Sequence, residues 1–404
     1  MVHIFRVGLL ASPRQGIVLY ATLLLFVSTL AAEPADWIWS ARYVITEDAR
    51  HRVIENGAVA VRGDRIVGVG SKGEIDARFQ ATQRLDRPDA ILAPGLINTH
   101  THAPMSLFRG VADDMNLQDW LNKFIFPAEA LKFTERYLAR FHNDPLVVAA
   151  VAPHALYTNS DETLKASRAL ANRYNAPLII HLSETKREND DAIKARKMTP
   201  TKILDTLGVL TGRTVAAHCV WVGDADLSIL KARGVGVAHC PSSNMKLASG
   251  VAPVVKMLAL NLAVGLGPDG PAGSNNDFNL FEEMDLAAKL QKVTTGDPQA
   301  LPAAAALEMA TIRGARVLGM EKEIGSVESG KRADLILVRT DRPNAVPMYD
   351  PISQMVYALK ASDVRDVMVN GKPVVRDGAI RTLNQAQILQ KAAEYRVRIS
   401  ASLK

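Results

Sequence analysis

The pattern of apolar and polar positions divides the chain into three stretches. From Trp37 to about Leu92, short alternating runs are broken by turn residues: Tyr43-Val44-Ile45, Ala58-Val59-Ala60-Val61, the turn Arg62-Gly63-Asp64-Arg65, and Ile66-Val67-Gly68-Val69. Alternation with period two predicts half-buried strands, so this stretch reads as a β-hairpin module. The same texture returns near the C-terminus. There Ala333-Asp334-Leu335-Ile336-Leu337-Val338 precedes Val367-Met368-Val369, an Asn370-Gly371 turn suited to a two-residue hairpin, and Pro373-Val374-Val375.

The middle, about Ala93 to Met320, alternates apolar runs with amphipathic helical stretches, which predicts parallel strands joined by crossover helices. Six strands are expected: Ile91 to Thr99, Leu146 to Ala152, Pro177 to Leu182, Thr214 to Cys219, Gly234 to His239 and Leu262 to Leu266. A closed β/α barrel normally has eight strands over ~250 residues. The stretch between His102 and His154 holds little more than loop and one or two helices, and Thr134 to Arg140 favours helix. Two βα units are therefore expected to be absent.

Composition changes this picture in two places. The 404 residues, 48% hydrophobic and 22% charged, are ordinary for a globular chain with a sizeable core. The net charge of +6 comes from scattered basic residues without a run, so no nucleic-acid surface is expected. Arg6 and Arg14, the apolar stretch Ile17 to Val27 and the small residues through Ala32 read as a signal peptide over residues 1–32, hence export to the periplasm or medium. If uncleaved, the segment would be an anchor, although its apolar run is shorter than the ~20 residues a span needs. After cleavage no stable membrane partner is expected. Cys219 and Cys240 read as small buried residues in strands, and His3, His51, His142 and His239 match no ligand pattern.

The candidate chemistry lies at strand ends. His100 and His102, one residue apart on an extended segment, project to the same side. His181, His218 and Asp269 each close or follow an apolar run, and in β/α barrels the C-terminal ends of strands converge. Neutral imidazoles and a carboxylate suit one divalent metal, zinc first and ferrous iron as the alternative, with a position left for water.

These residues carry a resemblance. Pro94-Gly95-Leu96-Ile97-Asn98-Thr99-His100-Thr101-His102, Ala152-Pro153-His154-Ala155, His181-Leu182-Ser183-Glu184-Thr185, Ala217-His218-Cys219, Cys240-Pro241-Ser242-Ser243-Asn244-Met245-Lys246-Leu247 and Gly267-Pro268-Asp269-Gly270 resemble the amidohydrolase superfamily. Within it the match is nearest to methylthioadenosine/S-adenosylhomocysteine deaminases. The resemblance implies an α/β fold: a β/α (TIM-like) barrel over residues 93–321, and a small β-sandwich from residues 33–92 and 322–382. Residues 383–404 would form a C-terminal helix.

It further implies His100, His102, His181 and Asp269 as metal ligands, His218 as the group that orients the water, and Glu184 as the proton carrier, with Asp269 taking the water's proton. His154 and Glu129 would contact substrate, Glu129 at ribose hydroxyls, and Trp120 would wall the pocket. The implied reaction is hydrolytic deamination at C6 of a purine nucleoside, by a chain that is either monomeric or a homo-oligomer. Two alternatives stand beside it. One is another amidohydrolase, a guanine or triazine-type deaminase or chlorohydrolase. The other is a degenerate, non-catalytic metal binder, motivated by the abrupt passage from Ala130 to Leu131, where relatives carry two further βα units. The other zinc deaminase class, with His-x-Glu and Pro-Cys-x-x-Cys, is excluded by the absence of that motif.

Overall fold

The computed structural model describes residues 32–103, 106, 109 and 130–402. The leader-like residues 1–31, and with them Trp120 and Glu129, lie outside the described residues. The chain opens with β1 (Glu33–Ile45), β2 (Val53–Arg62), β3 (Arg65–Ser71), α1 (Lys72–Arg78) and β4 (Phe79–Pro94). The middle runs α2 (Ala130–Arg140), α3 (Asp161–Arg173), β5 (Leu178–Leu182), α4 (Lys186–Arg196), α5 (Pro200–Thr206) and β6 (Thr214–His218). It continues with α6 (Asp224–Arg233), β7 (Gly236–His239), α7 (Pro241–Lys246), α8 (Val254–Ala259), β8 (Val264–Leu266), α9 (Leu280–Thr295), α10 (Ala303–Met309) and α11 (Ile312–Val317). The chain returns to β9 (Leu335–Arg339), β10 (Val364–Val369), β11 (Lys372–Arg376) and β12 (Ala379–Ile380), and ends in α12 (Gln385–Ser402).

The two β-rich ends meet, as the recurring texture predicts. They form one continuous eight-stranded sheet in the order β12-β11-β10-β9-β4-β1-β2-β3. Its far ends approach each other, because Ala333 donates to the Asp64 carbonyl and the Gly371 amide donates to Ala333. Gly371 has φ +76, and a Cβ there would stand 2.0 Å from the Gly63 carbonyl oxygen, so this meeting point requires glycine. The curl encloses Trp39, Val59, Val61, Leu92, Leu335, Leu337 and Met368, all buried. Across the seam between the chain ends, Arg87 on β4 pairs with the fully buried Asp366 on β10, Nε to Oδ2 at 2.9 Å.

The second sheet is parallel, in the order β5-β6-β7-β8. Isolated bridges extend it on both sides: Val151 and Ala155 pair with Leu178 and His181, and Asn98 and Thr101 pair with Leu266 and Asp269. Six segments thus lie side by side, in the order 151–155, β5, β6, β7, β8, 98–101. One face packs on helices through Leu178, Ile180, Leu182, Ala216, Val237 and Val264. The other carries Val215, Ala217 and Ala238 with Ile179 and Leu318 against them.

The strands of the parallel sheet are shorter than the apolar runs predict. Ile91 to Thr99 is not one strand: residues through Pro94 finish β4 in the large sheet, and only the bridges at Asn98 and Thr101 join the parallel one. The break falls at Gly95, where the chain crosses between sheets. Leu146 to Ala152 contributes a single bridge, and Leu146 and Val148 are exposed because Pro145 and the polar residues before it start a loop. Gly234 caps α6 in a left-handed conformation, so β7 starts only at Gly236.

Candidate metal-centred active site

Register brings the sequence's scattered residues to one level. His181 lies opposite Ala217 and Leu182 opposite His218 across β5 and β6, while Thr101 bridges Asp269 on the far side of β8. Gly267 makes the last approach possible, since a Cβ there would sit 2.7 Å from the His100 carbonyl oxygen.

Pleating alone does not aim every side chain. Ala217 faces the interior side with Val215, so a regular strand would send His218 to the helix side with Ala216. His218 instead adopts φ +70, and its ring stacks on His181 with centroids 5.4 Å apart. Ser183, just before Glu184, has φ +50, and Asp269 has φ +62. Non-glycine residues in this region cost of order 1–3 kcal/mol each and cluster at functional sites.

The ligand atoms of His100, His102, His181 and Asp269 all lie within 4.8 Å of one another. His100 Nε2 is 3.2 Å and His102 Nε2 3.3 Å from Asp269 Oδ1, and the Nε2 atoms of His102 and His181 are 3.2 Å apart. Two ligands about 2.0–2.1 Å from one tetrahedral ion stand roughly 3.3 Å apart. His181 Nδ1–H donates to the His154 carbonyl at 2.8 Å, which leaves its Nε2 unprotonated and aimed at His102. Burial pushes His102 down to about 4 and holds His181 well below the ordinary histidine value, with the neighbouring histidines adding to it. Both are therefore neutral imidazoles, the form that ligates. Burial alone would raise the Asp269 carboxyl, but the imidazoles, His100 first, hold it far below the usual carboxylate range. The donor set fits one divalent cation.

Around this cluster stand Glu184, His218 and His154. Glu184 is buried, and burial raises its carboxyl, opposed by His218. Burial pushes His218 down, yet Glu184 and Asp269 outweigh it and favour the imidazolium. His218 Nε2 is buried without a partner among the described residues, 4.0 Å from both Glu184 Oε2 and Asp269 Oδ2. That separation is too long for direct hydrogen bonds and suits one small polar group between the three. His154 puts its ring 4.6 Å from that of His181 and sits at about 4, lowered by burial. His102, His154, His181, Glu184, His218, Asp269 and Ser274 line one small cavity.

Sequence reasoning overlooked the side chains that hold these groups. Glu188 accepts the amides of Ser183 and Glu184 at 3.1 and 2.8 Å. The spacing Thr185-x-x-Glu188, a helix-start signal, was the cue to it. Ser243 donates to Asp269 Oδ2 at 2.7 Å, and Asn244 Oδ1 accepts from His218 Nδ1 at 2.9 Å.

A model of the amidohydrolase family matches residues 125–374. The chain belongs to the amidohydrolase family. This amidohydrolase is 38% identical to a 5-methylthioadenosine/S-adenosylhomocysteine deaminase of Thermodesulfovibrio yellowstonii, over 91% of this chain and 99% of that one. It is 36% identical to a 5'-deoxyadenosine deaminase of Methanothermobacter thermautotrophicus, over 84% and 94%. A crystal structure of an adenosine deaminase from Xanthomonas campestris with bound zinc superposes with a TM-score of 0.86, at 33% identity, covering 92% of this chain and 100% of that one.

These relatives overturn one expectation. Export does not stand: the proteins similar to this amidohydrolase over nine-tenths of its length are named as methylthioadenosine/S-adenosylhomocysteine deaminases. Among the described residues no helix is long and apolar enough to cross a membrane.

Proposed function

We propose that this amidohydrolase is a zinc-dependent hydrolytic deaminase acting at C6 of adenine nucleosides, methylthioadenosine and S-adenosylhomocysteine among them. The observation that carries the reading is the convergence of His218 on Glu184 and Asp269, its Nε2 4.0 Å from a carboxylate oxygen of each, beside a cluster of three histidines and that aspartate. Zinc suits three neutral imidazoles and one carboxylate, and a bound divalent cation lowers the pKa of water toward ~7. Glu184, whose carboxyl burial raises, delivers its proton to a purine ring nitrogen. Asp269, held as a carboxylate, takes the proton of the attacking water, and His218 orients that water from Nε2. After addition at C6 the proton held by Asp269 passes to the amino group, the carbon–nitrogen bond breaks and ammonia leaves, and the added hydroxyl returns its proton to Glu184 as the carbonyl forms. His154 stands on the substrate side, and the ribose and pocket-wall roles of Glu129 and Trp120 belong to the same proposal.

The same reading assigns the six parallel segments to a β/α barrel over residues 93–321 that lacks two βα units. The curled sheet of residues 33–92 and 322–382 is then the family's β-sandwich, with residues 383–404 as an appended helix. The matches to curated relatives support the deletion: they run over 436, 429 and 440 residues, more than the 404 of this whole chain, while covering only about nine-tenths of it. The relatives therefore carry residues without a counterpart here. Positioning errors near 1 Å can cost about a hundredfold, so turnover slower than in a full-length relative is expected.

Ammonia release from adenosine, methylthioadenosine and S-adenosylhomocysteine by zinc-loaded protein tests the proposal. Turnover of at least one, abolished in Glu184→Gln, supports it. No turnover by folded, metal-replete protein would instead support the degenerate metal binder that the missing residues suggest.

A further inference from the structure

We infer that Ser243 and Asn244, consecutive residues of α7, form a tandem positioning element that orients the two water-handling groups of the site, Asp269 and His218. The topology makes this natural. β7 lies between β6 and β8, and α7 starts directly beyond it at Pro241. His218 ends β6 on one side, and Asp269 follows β8 on the other. Successive residues of a helix point about 100° apart, so two neighbours on this one turn can address both flanking strands.

Each contact fixes a choice the reacting group would otherwise leave open. The Ser243 hydroxyl donates to Asp269 Oδ2 at 2.7 Å, which turns Oδ1 toward His100 and His102. Asn244 Oδ1 accepts from His218 Nδ1–H at 2.9 Å, which sets the ring plane and leaves Nε2 facing Glu184 and Asp269. Both side chains are buried, at 0% and 1% exposure, so water does not compete for either bond. The helix itself is clamped. Glu283 on α9 accepts the Ser242 amide at 3.2 Å and the Asn275 side chain at 3.3 Å, and Asn275 also donates to the Pro268 carbonyl beside Asp269. The left-handed backbones of His218 and Asp269 supply the approximate direction, and the tandem selects the final orientation.

The inference rests on the deaminase reading for its kinetic consequence but not for its structural one, and the test separates the two. In full-length protein carrying 15N-labelled histidine, the ring-nitrogen spectrum of His218, assigned by its loss in His218→Gln, should show Nδ1 protonated. Asn244→Ala should move the Nδ1–H resonance off its hydrogen-bonded position and Asn244→Asp should keep it there, since the carboxylate also accepts. Ser243→Ala should leave the resonance unchanged. In zinc-loaded protein, Asn244→Ala and Ser243→Ala should each lower kcat by about 10–100-fold, the usual cost of removing such partners, with KM little changed. Ser243→Thr and Asn244→Asp should recover most of the loss. Should Asn244→Ala fail to fold, Ser243→Ala, which deletes one oxygen, and Asn244→Asp still decide. An unchanged His218 spectrum in Asn244→Ala overturns the proposal. So does a loss in kcat matched by a loss of folded protein, with no rescue by the conservative variants. A wild-type protein without deaminase activity but with the expected spectra would sink the deaminase reading and leave the positioning roles standing.

Discussion

The eight-stranded sheet and the parallel sheet place left-handed backbone in different positions. In the former, positive φ falls at turns, on Gly63, Asn370, Gly371, Asp377 and Gly378, where a chain reversal requires it, and on Asn56 inside β2, where the pairing with β1 skips a residue. In the latter it falls on Ser183, His218, Cys219 and Asp269, at the ends of β5, β6 and β8. Unpartnered buried polar atoms occur in both sheets, Trp39 Nε1 on β1 and Arg376 Nε on β11 among those of the large one. Ser183 Oγ, His218 Nε2 and Asn244 Nδ2 crowd the site, whereas the buried Asp366 of the large sheet is met by Arg87 and by the Asp377 amide. One region spends its geometry on closure, and the other holds strained groups poised for chemistry on cores formed elsewhere.

The largest expected effect breaks the second region at its centre. Replacing His100 and His102 by alanine should abolish stoichiometric metal and all turnover, with the large sheet intact. Elemental analysis and circular dichroism report both, and unchanged metal content would remove the ligand assignment. Next, Glu184→Gln should lower kcat by about 10²–10⁴-fold while retaining metal, because a proton carrier is lost and no ligand is. Equal turnover would show that another group moves the proton.

How much of this division the sequence reveals depends on range. The grouping of His100, His102, His181 and Asp269 was legible from the His-x-His spacing, the apolar runs before His181 and Asp269 and the family resemblance, and the chain-end strands because alternation and Asn370-Gly371 are local signals. Left-handed backbone at His218 and Asp269 was not, since both residue types only visit it more often than most and the tertiary packing imposes it here. Ser243 and Asn244 lay inside a quoted motif, yet their roles depend on α7 emerging between β6 and β8, which is topology. The continuous curl of the large sheet likewise depends on Asp64, Ala333 and Gly371 meeting from distant parts of the chain.

A third prediction attacks closure. Arg87→Ala leaves the buried Asp366 carboxylate without its main cation, and breaking a buried pair ordinarily costs about 3–5 kcal/mol. Here Arg376 at 3.8 Å and the Asp377 amide remain, so a loss of about 2–3 kcal/mol is expected by chemical denaturation. Turnover per folded molecule should be nearly unchanged, because the pair joins β4 to β10 and does not touch the site. A large fall in kcat would mean that the two regions are coupled more tightly than their division suggests.

The smallest effect concerns Glu47, a buried carboxyl just beyond β1. Burial, then the Glu308 carboxylate, raise it to about 7, against an ordinary 4.5, and its Oε2 has no partner among the described residues. A carboxyl with this shift binds its proton more tightly in the folded chain than in the unfolded one. The stability it lends is fully present below pH 4.5, declines as the pH rises, and is gone above about 7. Glutamine mimics the protonated form and cannot ionise. Glu47→Gln should therefore leave stability at pH 4.5 nearly unchanged and raise it at pH 8 by about 1–3 kcal/mol, below the full linkage value because a buried charge is relieved by local relaxation. Denaturant midpoints of both proteins across that range read the difference directly. Parallel curves would show that Glu47 ionises as easily folded as unfolded, and a substitution less stable at every pH would mean that the carboxyl makes a contact glutamine does not reproduce.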